Sequence, residues 1–88
     1  MVFDVFRRES TDVFWIVGAG FRVRHAMFAL PGSVYTGAWV PALCEMWLLI
    51  PSATPFGQVP VTAKYTEQCA ECELIVADRG HRGHVWDF

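Results

Sequence analysis

Cys69-Ala70-Glu71-Cys72 is the stretch that most limits what this chain can become. Two residues between cysteines let both sulfurs reach one tetrahedral metal centre, at about 2.3 Å each. Cys44 is the third and last cysteine, so a shared site leaves no thiol unused. His25 completes four soft or borderline ligands, in the order His-x18-Cys-x24-Cys-x2-Cys. Three thiolates and one imidazole are a standard donor set for structural zinc. Closing such long loops ties the early half of the chain to the late half. At 88 residues the chain is short enough to need that help.

Other readings of the same residues stand beside this one. His81 and His84 give C-x2-C-x8-H-x2-H, a shorter pattern than the usual finger, and one that leaves Cys44 idle. A thiol–disulfide protein using Cys69 and Cys72 would want a βαβ setting with the nucleophile at a helix start. Buried cysteines also serve as small hydrophobes, and His25 as a satisfied core histidine. Thiolate-rich tetrahedral sites accept iron as well as zinc. Zn²⁺ bound by His25, Cys44, Cys69 and Cys72 is the expectation.

Composition narrows the class. Hydrophobic residues make up 53% and charged residues 18%, which argues against disorder. Four tryptophans and seven phenylalanines are a large apolar supply for this length, and what stays exposed is available for an interface, self-association included. The net charge of −2 lacks the basic footprint of phosphate-dominated nucleic-acid binding. Arg7, Arg8, Arg22 and Arg24 are the one local exception. An odd number of cysteines does not close a disulfide framework. Residues 1–10 lack a secretory apolar core, and the apolar stretch near Ala38 to Ile50 is too short to span a bilayer. A soluble, reducing, cytoplasmic setting with no membrane partner is therefore expected.

Read in order, the chain is one domain over residues 1–88, with 1–11 and 81–88 as flexible ends. Residues 1–11 fit an edge strand or a frayed arm. Val13–Val17 is β-branched and aromatic, and Gly18-Ala19-Gly20 reads as a three-residue hairpin loop into a second strand over Phe21–Leu30. Period two places Phe21, Val23, His25 and Met27 on one face, with Arg22 and Arg24 on the other, outward one. Pro31-Gly32-Ser33 is a turn, and further strands are expected over Val34–Val40, Glu45–Ile50 and Val59–Tyr65. Between the last two, residues 51–58 form a loop. Ala70–Asp78 predicts a helix, with Glu71 and Glu73 in its first turn and Gly80 as its stop. The tail after it has no period. The fold class is α+β: a small hairpin-based antiparallel sheet of four or five strands with one C-terminal helix, stabilised by zinc.

The order W-x-x-x-x-G-x-R-x-R-H-A from Trp15 to Ala26, then Leu43-Cys44, then C-x-x-C opening a helix, resembles a family of small zinc-finger proteins of actinobacteria. Its members are short and largely uncharacterised, with an R-H-A segment, a later L-C-G and a terminal C-P-x-C. The resemblance covers roughly residues 13 to 78 and implies the same four ligands, His25, Cys44, Cys69 and Cys72. Glu45 stands where the family often has glycine, and Ala70 where it often has proline. Both lie beside ligands and bear on local turn geometry. The family implies no activity.

Catalytic zinc keeps a position open for water, whereas four protein ligands close the shell. The chain has no H-x-E or H-E-x-x-H base and no phosphate-cradling glycine loop. The expected function is a non-enzymatic, structural-zinc module that binds a protein partner. Nucleic-acid binding through the arginines and thiol redox chemistry at Cys69 and Cys72 are the alternatives.

Overall fold

The computed structural model describes residues 12–88; the arm expected over 1–11 lies outside them. Among the described residues, five short strands and one α-helix form an α+β fold in two small sheets. Strand β1 (Asp12–Ile16) is the centre of the larger sheet, between β2 (His25–Met27) and β5 (Arg82–Val85). β3 (Trp39–Pro41) and β4 (Trp47–Leu49) make a separate two-stranded ribbon, and helix α1 spans Ala70–Arg79.

β1 has the β-branched and aromatic make-up of a strand packed on both faces. Val13, Trp15 and Ile16 are buried, and they join Ala26, Met27, Leu48, Ile50, Cys72 and Phe88 in one core. β2 pairs antiparallel to β1, with Ile16 opposite His25 and Phe14 opposite Met27. In the ribbon Val40 and Leu48 are paired and turn inward, which leaves Trp39, Pro41 and Trp47 exposed on the other face.

α1 starts one residue after Cys69. Glu71 and Glu73 lie at its positive end and Arg79 in its last turn. Gly80, at φ 67°, closes it in the left-handed conformation that glycine adopts without strain, and its N–H bonds to the Val76 carbonyl. The helix agrees with the sequence expectation to within one residue.

Other expectations are corrected. The second strand keeps only His25–Met27 of Phe21–Leu30, and the connection from β1 is longer than a three-residue hairpin loop. Residues 18–21 fold back on themselves and onto β4 instead, through Phe21 N–H to Gly18 O (2.9 Å) and Ala19 N–H to Leu49 O (2.8 Å). Val34–Val40 yields a strand only from Trp39, after a 3₁₀ turn at Pro31–Ser33 and a positive φ at Gly37. Val59–Tyr65 is not a strand. Pro60 precedes a 3₁₀ turn at Val61–Lys64, where the Thr62 hydroxyl donates to Asp87 (3.0 Å) and accepts from the Phe88 N–H (3.0 Å). The sheet is not purely antiparallel, because the tail, expected to lack a period, supplies β5, parallel to β1. Gly83 permits that approach: a Cβ there would sit 2.7 Å from the Trp15 indole nitrogen.

Arg24 is the largest departure. Alternation does send it away from His25, but the second face is not solvated. The 3₁₀ turn and the tail cover it, and Arg24 is 3% exposed while Arg22 is exposed.

Candidate metal centre

The outer edge of β2 organises the site. The Arg24 carbonyl accepts the Cys69 N–H at 2.8 Å, and the Ala26 carbonyl accepts the Leu43 N–H at 2.8 Å. These two bonds flank His25 and deliver one cysteine-bearing segment on each side of it. Arg24 also pairs with Gln68 in a parallel bridge, anchored by Arg24 N–H to Glu67 O at 2.8 Å. Cys72 follows Cys69 by three residues across the first turn of α1, the spacing that puts two helical side chains on one face. Cys44 lies in the β3–β4 turn, closed by Glu45 N–H to Ala42 O (2.9 Å) and Ala42 N–H to Met46 O (2.8 Å).

His25, Cys44, Cys69 and Cys72 thereby converge, with one donor atom from each within 4.8 Å of all the others, and the group could hold a metal ion. The imidazole Nδ1 lies 3.4 Å from the Cys44 sulfur and 4.0 Å from the Cys72 sulfur. Tetrahedral zinc with ordinary Zn–S and Zn–N bonds needs N···S edges of about 3.6 Å and S···S edges of about 3.8 Å. The two N···S separations straddle the first value, and the donor set is one that suits such an ion.

Burial and charge fit it too. Cys72 is wholly buried and belongs to the core cluster, His25 is buried, and Cys44 and Cys69 are half-buried. Burial pushes the Cys72 thiol up to about 12. The Cys44 thiol beside it adds to the rise, while backbone N–H groups of Ala26 and Cys44 aimed at the sulfur pull the other way. Without a cation, then, the sulfur is held as a neutral thiol. A divalent ion reverses that balance, and the same N–H groups then stabilise a ligated thiolate. Burial also lowers the His25 pKa, which favours the neutral imidazole a metal requires. The Phe21 ring packs at a tilt against the imidazole, 5.5 Å between centroids.

His81 and His84 stand outside this group. His81 packs edge-on against Phe28 at 5.2 Å, and its Nδ1 is buried without a hydrogen-bond partner among the described residues. His84 stacks on Phe14 and reaches Asp12 at 3.3 Å.

Glu45, beside Cys44, has φ 72°, the left-handed region that favours glycine. The sequence reading missed the part played by Arg24. Its Nε donates to Tyr65 O (2.7 Å), Nη1 to Trp15 O and Trp86 O (3.3 Å each), and Nη2 to Thr62 O (3.1 Å) and to the Asp87 carboxylate. All five guanidinium N–H donors are used. A charged residue within an apolar strand next to a ligand was the only sequence signal for this.

No family model, curated protein or solved structure matches the chain.

Proposed function

We propose that this chain is a non-enzymatic module folded around one structural Zn²⁺, held by His25, Cys44, Cys69 and Cys72, and that it acts by binding another protein. The observation that carries the reading is the convergence of four donor atoms, from three separate segments, within 4.8 Å. Three thiolates and an imidazole leave a tetrahedral ion no open position for substrate or water, and thiolates quench its Lewis acidity. Protein is favoured over nucleic acid as partner because Arg24 is spent on an internal network and Trp39 and Trp47 are exposed. Among the described residues, no helix is long and apolar enough to cross a membrane.

Binding and folding are one event in such a site. Zinc contributes about 10–16 kcal/mol in finger peptides at neutral pH. A domain of 88 residues is stable by only about 4–13 kcal/mol in all. The test is metal content by elemental analysis, on the wild-type protein and on His25→Ala and His81→Ala. One zinc per chain is expected, lost in the first variant and kept in the second, and excess chelator should collapse the dispersion of the NMR spectrum. Full metal content in His25→Ala, or a spectrum indifferent to chelator, would sink the proposal.

A further inference from the structure

Phe56 is fully exposed, the most exposed of the large apolar side chains. It is nonetheless firmly held. Pro55-Phe56-Gly57-Gln58 is a tight turn closed by Gln58 N–H to Pro55 O at 3.2 Å, with Gly57 at φ 90°. Its base is pinned where the Thr54 hydroxyl donates to the Phe88 carbonyl (2.9 Å) and accepts from the Val61 N–H (3.0 Å). A ring displayed in this way has little conformational freedom left to lose on binding.

Beside the turn opens a cleft of about 470 Å³, walled by Pro31, Val34, Ile50, Pro51, Trp86 and Phe88. Its one charged lining residue, Asp87, is already tied to Arg24 and Thr62. An aromatic ring can therefore enter without stranding a charge. Knob and hole adjoin within a single patch, which is what a two-fold symmetric contact requires, because each copy must present both.

We propose that the partner surface includes this patch and that its occupant is a second copy of the chain, with Phe56 of each copy seated in the cleft of the other. This deepens the protein-binding reading above and rests on it. Two reciprocal insertions, each covering about 150–250 Å² of ring and a like area of wall, bury about 600–1,000 Å² in all. That falls short of the roughly 1,200 Å² of a stable interface and within the transient range. The dimer is accordingly concentration-dependent. The outer face of the β3–β4 ribbon is apolar too, but the structure shows no complementary hollow for its tryptophans.

The test is sedimentation equilibrium of metal-loaded protein from about 10 µM to about 1 mM, bracketing a transient dissociation constant. Phe56→Ser removes the knob. Gly32→Leu fills the hole from the same chain, since a Cβ at Gly32 meets nothing within 4 Å. Wild type should move toward dimer mass with concentration and each variant should stay monomeric. A mixture of the two variants, which retains one knob and one hole, should recover part of the association. A wild type that remains monomeric, or association that survives either variant, overturns the proposal. Zinc measured on the same samples separates the two readings: a zinc-loaded monomer removes the dimer and leaves the metal centre standing, whereas a zinc-free dimer does the reverse.

Discussion

Arg24→Ala should be the most damaging change outside the four ligands. Removing one partner of a buried ion pair costs about 3–5 kcal/mol, because the other charge stays behind uncompensated. Asp87 is 25% exposed and keeps the Thr62 hydroxyl, which moves the charge term toward the lower end. Against that, the carbonyls of Trp15 and Thr62 lose buried bonds and those of Tyr65 and Trp86 partly buried ones. A buried group left without a partner costs about 1–3 kcal/mol. These contributions overlap in one network and do not add, so a loss of about 3–5 kcal/mol is expected for the variant. That is a large part of the roughly 4–13 kcal/mol available to 88 residues. Arg24→Lys keeps the charge but offers three donors in place of five and no planar fork, so it should recover only part of the loss. The assay is urea denaturation at saturating zinc, so that metal linkage is the same for every variant. A second check is the coupling between Arg24→Ala and Asp87→Ala, expected at about 1–3 kcal/mol. A loss for Arg24→Ala within the roughly 0.5 kcal/mol typical of surface substitutions would refute the reasoning and return the side chain to solvent, where simple alternation had put it.

Gly83→Ala should cost about 1–3 kcal/mol, because the new Cβ meets the buried Trp15 indole at 2.7 Å; an unchanged denaturation midpoint would show that β1 and β5 do not approach so closely. Glu45→Gly relieves a left-handed conformation that costs a residue with a Cβ about 1–2 kcal/mol. Part of that gain is offset by the entropy of glycine, so the variant should be more stable by up to about 1 kcal/mol, while Glu45→Val should be less stable than wild type. Burial raises the metal-free Cys72 thiol to about 12, so a bound ion must displace its proton. His25 is lowered from 6.5, so its contribution holds above that pH and is lost on acidification. Zinc affinity should therefore fall as the pH is lowered, since both donors must be proton-free to bind the ion; an affinity indifferent to pH in a zinc titration would contradict this.

The grouping of the four donor side chains was more legible in the sequence than the fold around it. Cysteine spacing is a direct consequence of what one ion can reach, so the grouping of Cys44, Cys69 and Cys72 with His25 needed no knowledge of strand pairing. α1 was legible for a similar reason: Glu71 and Glu73 at its start and Gly80 at its end are local signals with local causes. The strands were harder because they are short, three to five residues each, and their partners are remote in sequence. β5 could not be read from Arg-Gly-His-Val, whose four residues are all exposed, since what makes it a strand is parallel pairing with residues some seventy positions earlier. Arg24 was misplaced for the same reason. Alternation assigns a side chain to a face, and only the tertiary fold decides whether that face meets water.

The His25–Cys44–Cys69–Cys72 cluster and the arginine network are one device rather than two. Arg24 fixes Cys69 with its main-chain carbonyl and fixes the tail and the 3₁₀ turn with its side chain, while the next residue in the chain, His25, belongs to the cluster that could hold a metal ion. Residues 24–26 thus collect the Leu43–Cys44 turn, the start of α1, the Thr62–Tyr65 turn and the C-terminal segment around three consecutive positions. A metal ion bound by the His25–Cys44–Cys69–Cys72 group would solve on one side of that strand the problem that the guanidinium solves on the other. The guanidinium draws together distant parts of the chain through five hydrogen bonds, as a bound ion would through coordinate bonds. A core this small cannot enforce those closures by apolar burial alone, and for that reason loss of either centre should loosen the other.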